Sequence, residues 1–280
     1  MASVKQRRSR IESHLDAVLA GTEPEQLREQ MRQVTLSGGK RVRPTLTTLV
    51  CDALDGDVDR ATDFAAGIEL VHGASLVVDD IIDRSELRRE SPSAWTAFGH
   101  GPAIVTSDGL LGEAFALFAP DNRAIEAVSG ALVRLGQGEA SELLARPESV
   151  QGYVTLARRK TGALFRAAAE LGAIAADADP GTVEAVGRYA EQVGVAFQIR
   201  DDVLDATADT ERLGKPSGRD ADLGRPSIIE ITELSAQEAT ERARREVNGA
   251  LEALDAAGIT DSQSTVYLRE LAWFVVERNR

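Results

Sequence analysis

Two short acidic stretches constrain the fold of this chain more than any other feature. Each follows an apolar run that favours a helix, and they read Asp79-Asp80-Ile81-Ile82-Asp83 and Asp201-Asp202-Val203-Leu204-Asp205. Residues three and four apart share a helical face, so each stretch predicts three neighbouring carboxylates, which repel one another unless a cation lies between them. Mg²⁺ suits such a site because it takes oxygen ligands and completes its shell with waters and phosphate oxygens. A solvated helix end would explain one stretch, but two copies favour a metal site.

Helical patterns dominate the remaining sequence, and period-2 alternation is weak throughout. Helices are expected at 4–20, 24–36, 44–54, 59–83, 102–118, 121–145, 148–178, 181–209, 235–256 and 262–279. This order predicts an all-α helical bundle, formed as a single domain over residues 1–280, with the longer middle helices in its core. The stretch from Leu213 to Ser227 is rich in glycine, proline and charge, and it is expected to be the one long loop.

Composition excludes several classes of protein. The chain is 43% hydrophobic and 28% charged, which is typical of a globular protein, and no apolar run is long enough for a membrane span. No apolar segment follows the basic N-terminus, so no signal peptide is expected. Cys51 is the only cysteine, which excludes disulfides within the chain and favours a cytoplasmic location. A net charge of −13 argues against nucleic acid as a partner.

Lysine is rare in this chain, because only Lys5, Lys40, Lys160 and Lys215 occur among 32 basic residues. An acidic surface with little lysine fits a salt-rich cytosol, where ions screen self-repulsion, although a GC-rich genome would also favour arginine. We therefore expect a halophilic source, and full stability at low KCl would exclude it. Three of these four lysines lie in the motifs described next.

Cations and polar groups recur in short motifs. Residues 38–44 read GGKRVRP and combine a flexible backbone with Lys40 and Arg43, which suits a diphosphate, although a basic turn would also explain this motif alone. Arg88 and Arg89 follow the first acidic stretch, where they could hold phosphate oxygens or form salt bridges with the aspartates. A further set lies in or near the apolar helices and the predicted loop: Lys160, Thr161, Gln198 and Lys215.

One histidine motif allows two interpretations. Glu69 and His72 have the Glu-x-x-His spacing of di-iron bundles, but such sites need two of these motifs. Neither His14 nor His100 has a glutamate three residues before it, so a di-iron site is not expected. His72 lies two turns before Asp79 on nearly the same face and is expected to point into the same cavity, although a buried structural histidine would also fit.

This set of residues suits the binding of anions and metal ions better than covalent catalysis. With three histidines and one cysteine, no Ser–His–Asp or Cys–His nucleophile is evident. The interior expected between the acidic stretches is rich in alanine, valine, leucine and phenylalanine. A substrate with a diphosphate head and an apolar tail fits, since a metal ion favours departure of the diphosphate and a dry pocket shields the cation that remains.

Six motifs, in order, are similar to those of the polyprenyl synthetase family, the trans-isoprenyl diphosphate synthases. They span about Gly38 to Ser227 and read GGKRVRP, ELVHGASLVVDDIID, LRR, RKTGALF, FQIRDDVLD and LGKPSGRD. The resemblance implies an all-α fold of the isoprenoid synthase type with a central apolar cavity, and a homodimer. It also implies condensation of isopentenyl diphosphate with an allylic diphosphate (dimethylallyl, geranyl or farnesyl), assisted by several Mg²⁺ ions that bridge the allylic diphosphate. The allylic substrate would ionise, the isopentenyl double bond would attack, and a proton would then leave.

The resemblance also implies roles for individual residues. Isopentenyl diphosphate would be bound by Lys40, Arg43, His72 and Arg89. The allylic diphosphate would be bound by Arg88, Lys160, Thr161, Gln198 and Lys215. Mg²⁺ would be bound by Asp79, Asp80 and Asp83 and, from the other side, by Asp201, Asp202 and Asp205. The implied catalytic set is Asp79, Asp83, Lys160, Asp201 and Lys215.

The chain departs from the family pattern in two places. Glu90-Ser91-Pro92-Ser93 stands where glycine and then Pro-Thr are common, and Arg225 and Ser227 replace a usual lysine and threonine. These departures bear on rate and affinity more than on the class of reaction.

The product is expected to be longer than farnesyl diphosphate. In the family, the residues four and five before the first aspartate shape the floor of the chain pocket, and here they are Ser75 and Ala74. Small side chains leave room for the tail, so geranylgeranyl diphosphate (C20) or a C25 product is expected.

Two other functions are compatible with the same fold but fit the motifs less well. A silent partner subunit of a heteromeric prenyl synthase would typically lose one acidic motif, whereas this chain keeps both. A class I terpene cyclase has no second diphosphate to hold, so GGKRVRP and His72 argue against it.

Overall fold

The computed structural model describes residues 3–89, 91–144, 147–213, 227–232 and 234–277. Within these ranges the regular secondary structure is helical except for one short two-stranded hairpin, so the predicted all-α architecture is confirmed. The elements in chain order are α1 Val4–Leu19, α2 Glu25–Leu36, α3 Val42–Ala53, α4 Val58–Ile82, β1 Leu87–Arg88, β2 Ser91–Pro92, α5 Ala94–Phe98, α6 His100–Phe118, α7 Asn122–Leu144, α8 Val150–Ala157, a π-helical turn Arg158–Gly162, α9 Ala163–Ala175, α10 Pro180–Leu213, α11 Ile228–Thr232, α12 Ala236–Ala256 and α13 Gln263–Glu277.

Helix α4 is central because most of its circumference is apolar and buried. It begins after Asp57, whose carboxylate accepts hydrogen bonds from the backbone N–H groups of Asp59 and Arg60. It packs against α3, α6 and α9, and its C-cap is Asp83. The first acidic stretch therefore occupies the last turn of a buried helix, as the sequence predicts.

Helices α9 and α10 enclose the other side of the core. Helix α9 approaches α3 so closely that a Cβ atom on Gly172 would lie 2.4 Å from the carbonyl oxygen of Thr47, so only glycine fits there. Helix α10 packs against α9 and α12. It continues past the second acidic stretch to Leu213, which places those aspartates on the side of a helix instead of at its end.

The helical run that includes α8 and α9 contains one wider turn. Residues Arg158–Gly162 are π-helical, and the backbone remains helical on both sides. The sequence predicts one uninterrupted helix over 148–178. An apolar pattern does not show whether a backbone N–H group bonds to the carbonyl four residues earlier, as in an α-helix, or five residues earlier, as in a π-helix. A π-helical turn adds one residue to the winding of a helix and occurs frequently at functional sites.

The structure also contains elements that the sequence does not predict. Helices α5 and α11 have five residues each, which is too short for a periodic pattern. The hairpin pairs Leu87 with Pro92 and Arg88 with Ser91. Most of the long loop predicted from Leu213 to Ser227, namely residues 214–226, lies outside the described residues. None of the described helices combines the length and apolar content that a membrane crossing requires.

Candidate active site

A cavity of about 840 Å³ opens between α4, α6, α7, the π-helical turn and α10. Its lining includes most of the residues that the sequence singles out, namely Arg43, His72, Ala74, Ser75, Asp79, Arg88, Arg89, Lys160, Thr161, Gln198, Asp201, Asp202 and Asp205. Asp79 and Asp201, from the two acidic stretches, therefore share one hollow. Apolar side chains complete the walls, among them Val71, Leu111 and Leu132.

Some sequence-predicted residues do not belong to the described lining of the cavity. Lys40 is exposed, and Asp83 is partly buried at the end of α4. Asp80 is buried, with an exposed fraction of 3%. Lys215, like Arg225, lies outside the described residues.

Arg88 connects the hairpin to the first acidic stretch. Its Nε donates to both carboxylate oxygens of Asp80, at 3.0 and 3.2 Å, and its Nη2 also donates to Asp80. The same Nη2 lies 3.7 Å from Asp79 Oδ2. The hairpin matters here because strand β1 ends at Arg88 and so holds the guanidinium beside the last turn of α4. Arg88 thus compensates a buried carboxylate and borders the cavity at the same time.

Lys160 projects from the π-helical turn into a group of three carboxylates. Its Nζ donates to Glu142 and lies 3.2 Å from Glu139 Oε2 and 3.5 Å from Asp79 Oδ1. Burial alone would lower the pKa of Lys160, but the charges of Asp79, Glu142 and Glu139 outweigh it and raise this pKa, so the amine stays cationic. Lys160 is therefore a fixed positive charge beside the first acidic stretch.

Sequence reasoning missed Glu139 and Glu142, which line the cavity from α7. Burial raises the pKa of Glu139, with Lys160 acting in the opposite direction. The two glutamates are three residues apart and so share a helical face, which is a signal the sequence does contain. That signal is weak because charged pairs at this spacing are common on solvated helices.

Gln198 links the π-helical turn to α10. Its Oε1 accepts a hydrogen bond from Thr161 Oγ1 at 2.8 Å, and its Nε2 donates to Asp202 Oδ1 at 3.1 Å. Asp202 Oδ2 accepts from the Tyr153 hydroxyl at 2.7 Å and from the backbone N–H of Ile228 at 2.9 Å. Tyr153 has no role in the sequence analysis, because nothing in the chain pattern places it opposite Asp202.

Arg43 and His72 form a second polar pair in the cavity. Arg43 Nη1 lies 3.1 Å from His72 Nε2, and because arginine only donates, Nε2 accepts and Nδ1 carries the proton. Burial, followed by the neighbouring charge of Arg43, lowers the pKa of His72 well below its usual value. Within the described structure Nδ1 is buried without a hydrogen-bond partner. His72 is thus a neutral donor with one N–H to offer an anion.

These contacts also bear on the Glu-x-x-His motif. The lone pair of His72 Nε2 is taken by Arg43, and Glu69 Oε1 accepts from Arg41 Nη1 at 2.7 Å. Both ends of the motif therefore contact arginines.

Protonation of His72 is expected to destabilise the protein in mild acid. The unfolded histidine titrates near pH 6.5 and the folded one lower, so its contribution to stability is complete above pH ~6.5 and is lost as the pH falls toward the folded pKa. His72→Asn should therefore lose less free energy of unfolding than wild type between about pH 7.5 and 5 in urea titrations. His14→Asn, which removes a partly exposed histidine 2.7 Å from Asp63, is the control. Equal losses in wild type and His72→Asn would contradict the prediction.

The GGKRVRP motif is held by its neighbours on both sides. Arg89 donates to the carbonyl oxygen of Gly38, and a Cβ on Gly39 (φ +117°) would lie 2.7 Å from the Arg89 guanidinium. Arg41 adopts the left-handed backbone region at φ 51°, and its buried guanidinium binds Glu69 and Glu12. Sequence reasoning assigned Arg41 no role, yet its ion pairs fix the turn that leads into α3.

The carboxylate oxygens in the cavity are ligands that suit a hard cation. Asp79, Asp201 and Asp205 contribute carboxylate oxygens to one cavity. Across the described part of the chain, no group of three or more histidine, cysteine, aspartate or glutamate side chains is arranged to hold a metal ion. The carboxylate oxygens themselves suit Mg²⁺, which keeps several waters and uses substrate phosphate oxygens to complete its shell.

Comparisons with known proteins agree with this geometry. The polyprenyl synthetase family model matches residues 24–258. The geranylfarnesyl diphosphate synthase of Aeropyrum pernix is 34% identical over 277 residues, which cover 92% of this chain and 86% of that protein. A geranylgeranyl pyrophosphate synthetase structure from Geoglobus acetivorans has a TM-score of 0.86 at 29% identity and covers 98% of this chain and 97% of that one. A Caulobacter crescentus polyprenyl synthase, complexed with calcium and isoprenyl diphosphate, has a TM-score of 0.86 at 26% identity and covers 99% of this chain and 97% of that one. The chain therefore belongs to the polyprenyl synthetase family.

Proposed function

We propose that this protein is a prenyltransferase that condenses isopentenyl diphosphate with an allylic diphosphate to give a trans-prenyl diphosphate. The observation that carries the proposal is the shared cavity, in which both acidic stretches and a set of cations border one apolar hollow. Diphosphate heads and an apolar tail are the chemical features that such a cavity complements. The names of the similar proteins support the same reaction class.

The allylic diphosphate is proposed to lie between α4 and α10. Asp79 and Asp83 would hold Mg²⁺ from one side and Asp201 and Asp205 from the other, and bound Mg²⁺ would neutralise charge on the departing diphosphate. Asp80 and Asp202, the second aspartates of the two stretches, are buried and bind neighbouring side chains. Direct phosphate contacts are proposed for Arg88, Lys160, Thr161, Gln198 and Lys215.

Isopentenyl diphosphate is proposed to bind at the other group of cations. Arg43, Arg89 and Lys40 would supply positive charge, and His72 Nδ1 would donate a neutral hydrogen bond. The Arg43 guanidinium also lies 4.7 Å from the centre of the Phe165 ring, and burial lowers its pKa to about 10. It remains charged at neutral pH, so it retains its attraction for an anion.

The cavity walls would exclude water from the allylic cation. Val71, Leu132, Leu135, Leu164 and Phe197 offer no nucleophile. The isopentenyl double bond is then the group able to attack, and the departing diphosphate is proposed to accept the proton that leaves afterwards.

The direct test incubates the protein with Mg²⁺, isopentenyl diphosphate and dimethylallyl, geranyl or farnesyl diphosphate, and separates the products by chromatography. We expect chain elongation that depends on Mg²⁺ and stops when EDTA is in excess. A silent partner subunit would give no product, and a terpene cyclase would convert the allylic substrate without consuming isopentenyl diphosphate.

The product is proposed to be geranylgeranyl diphosphate or its C25 homologue, because the small side chains of Ala74 and Ser75 line the cavity and leave room for the apolar tail. Ala74→Phe is expected to shorten the main product by at least one isoprene unit, since a bulky ring replaces a methyl group that is 1% exposed on the cavity wall. Product chromatography checks this, with Ala74→Ser as the size control. An unchanged distribution of products in Ala74→Phe would contradict the assignment.

We further propose that residues 1–280 act as one catalytic domain, in the cytoplasm, and pair as a homodimer. Ile104 and Val105 on α6 and Val133 on α7 are at least half exposed, and an interface would cover such side chains. Sedimentation at micromolar concentration would detect the dimer, and a monomer with full activity would exclude it.

A further inference from the structure

Asp202 is more deeply buried than Asp201 and Asp205. Its exposed fraction is 2%, and donors from three elements reach its carboxylate. They are the Gln198 amide on α10, the Tyr153 hydroxyl on α8 and the N–H of Ile228 at the start of α11.

We infer that Tyr153 and Asp202 form a positioning pair, which holds Gln198 and Thr161 in the orientation that binds the allylic diphosphate. This inference rests on the proposed function of the cavity. It assigns a role to Tyr153, and it makes Asp202 act through its neighbours within the protein.

The hydrogen bonds fix a direction along this chain of groups. Asp202 Oδ1 accepts a hydrogen bond from Nε2 of the Gln198 amide, so this amide presents its NH₂ group to Asp202 and its oxygen to the π-helical turn. The Thr161 hydroxyl then donates to that oxygen at 2.8 Å. The second N–H of the Gln198 amide and the lone pairs of the Thr161 hydroxyl then point in fixed directions, which determines the atoms that they present to the substrate. Without Asp202, the amide could turn over and present the wrong atoms to the substrate.

Tyr153 anchors one end of this series of hydrogen bonds. Tyr153 is buried with an exposed fraction of 2%, and its hydroxyl donates to Asp202 Oδ2 at 2.7 Å. Tyr153 belongs to α8, which leads directly into the π-helical turn that carries Thr161. Both ends of the network are therefore anchored on one helical run, and Asp202 joins that run to α10.

The experiment compares Tyr153→Phe and Asp202→Asn with Asp201→Asn and with a matched control, Tyr189→Phe. Tyr189 is also buried, but its hydroxyl donates at 2.7 Å to the carbonyl oxygen of Leu268, and it does not line the cavity. Initial rates give KM for geranyl diphosphate and for isopentenyl diphosphate. Thermal unfolding in Mg²⁺ with inorganic pyrophosphate gives the gain in Tm on binding, which does not depend on turnover.

For Tyr153→Phe and Asp202→Asn we expect KM for geranyl diphosphate to rise about tenfold, with KM for isopentenyl diphosphate within about twofold of wild type. The Mg²⁺ concentration for half-maximal rate should stay within about twofold, and Mg²⁺ with pyrophosphate should still raise Tm. Asp201→Asn should lose that gain in Tm. Tyr189→Phe should match wild type in both KM values.

Two results would overturn the inference. One is an Asp202→Asn protein that loses its gain in Tm as Asp201→Asn does, which would make Asp202 a metal ligand. The other is a Tyr153→Phe protein whose KM values match those of Tyr189→Phe. If wild type transfers no prenyl group, the proposed function fails, and with it the positioning role. If wild type is active, either result counts against the positioning role alone.

Discussion

Replacing Asp79 or Asp201 with asparagine is expected to lower kcat by at least about a hundredfold at saturating Mg²⁺. Each aspartate belongs to one of the two walls that face the same cavity, so either replacement removes a charge from one side of the proposed metal site. An amide keeps the shape of the carboxylate but offers one neutral oxygen, which binds Mg²⁺ more weakly. The Mg²⁺ concentration for half-maximal rate should also rise in both variants, and rate measurements over a Mg²⁺ series test both effects.

Asp59→Asn provides a control for that experiment on the same helix as Asp79. Asp59 lies in the first turn of α4, its side chain is 89% exposed, and it pairs with Arg10 at the surface. The loss of such an exposed pair should leave kcat and the Mg²⁺ requirement unchanged. An Asp79→Asn or Asp201→Asn protein with the rate and Mg²⁺ dependence of Asp59→Asn would contradict the assignment of these aspartates.

Lys160→Met is expected to reduce both the rate and the stability. The substitution leaves Asp79, Glu139 and Glu142 without the ammonium group that lies between them, and their repulsion destabilises the folded protein by about 2 kcal/mol, less than for a fully buried pair because Lys160 is 22% exposed. It also removes a positive charge from the proposed allylic diphosphate site, so kcat should fall at least about a hundredfold. Urea denaturation and initial rates measure the two effects separately.

Adding Glu142→Gln to Lys160→Met separates the two roles of the lysine. The double variant removes one of the carboxylates that repel each other, so it should regain part of the lost stability. It supplies no cation to the diphosphate, so its rate should stay as low as that of Lys160→Met. Full activity in Lys160→Met, or recovery of activity together with stability in the double variant, would show that Lys160 acts only in the fold.

The sequence contains enough information to predict the helices and much of the cavity lining. Apolar periodicity places the long helices, and the spacing within each acidic stretch places Asp79 and Asp201 beside buried faces. Their meeting in one cavity follows from the packing of α4 and α10 around α9, which a linear pattern does not encode. The sequence indicates that the two acidic stretches share one site only because both carry carboxylates that suit Mg²⁺.

The residues that were missed act through tertiary contacts. Glu139 and Glu142 resemble a solvated helix face until α7 packs beside Lys160, and Tyr153 resembles a core aromatic until its hydroxyl meets Asp202. Arg41 has no role assigned from the sequence, yet its guanidinium is buried and forms ion pairs with Glu12 and Glu69. In each case the partner lies on a different element of the chain, so spacing along one helix could not reveal it.

The π-helical turn has a consequence for how this part of the chain tolerates insertions and deletions. One additional residue rotates everything that follows by about 100° relative to uninterrupted α-helical winding. Because of this rotation, one continuous helical run (α8, the π-helical turn and α9) directs Tyr153 toward Asp202 and Phe165 toward Arg43. Deleting one residue between 158 and 162 would remove this rotation and turn one of the two aromatic rings away from its partner. This would happen even if every functional side chain were still present in the sequence.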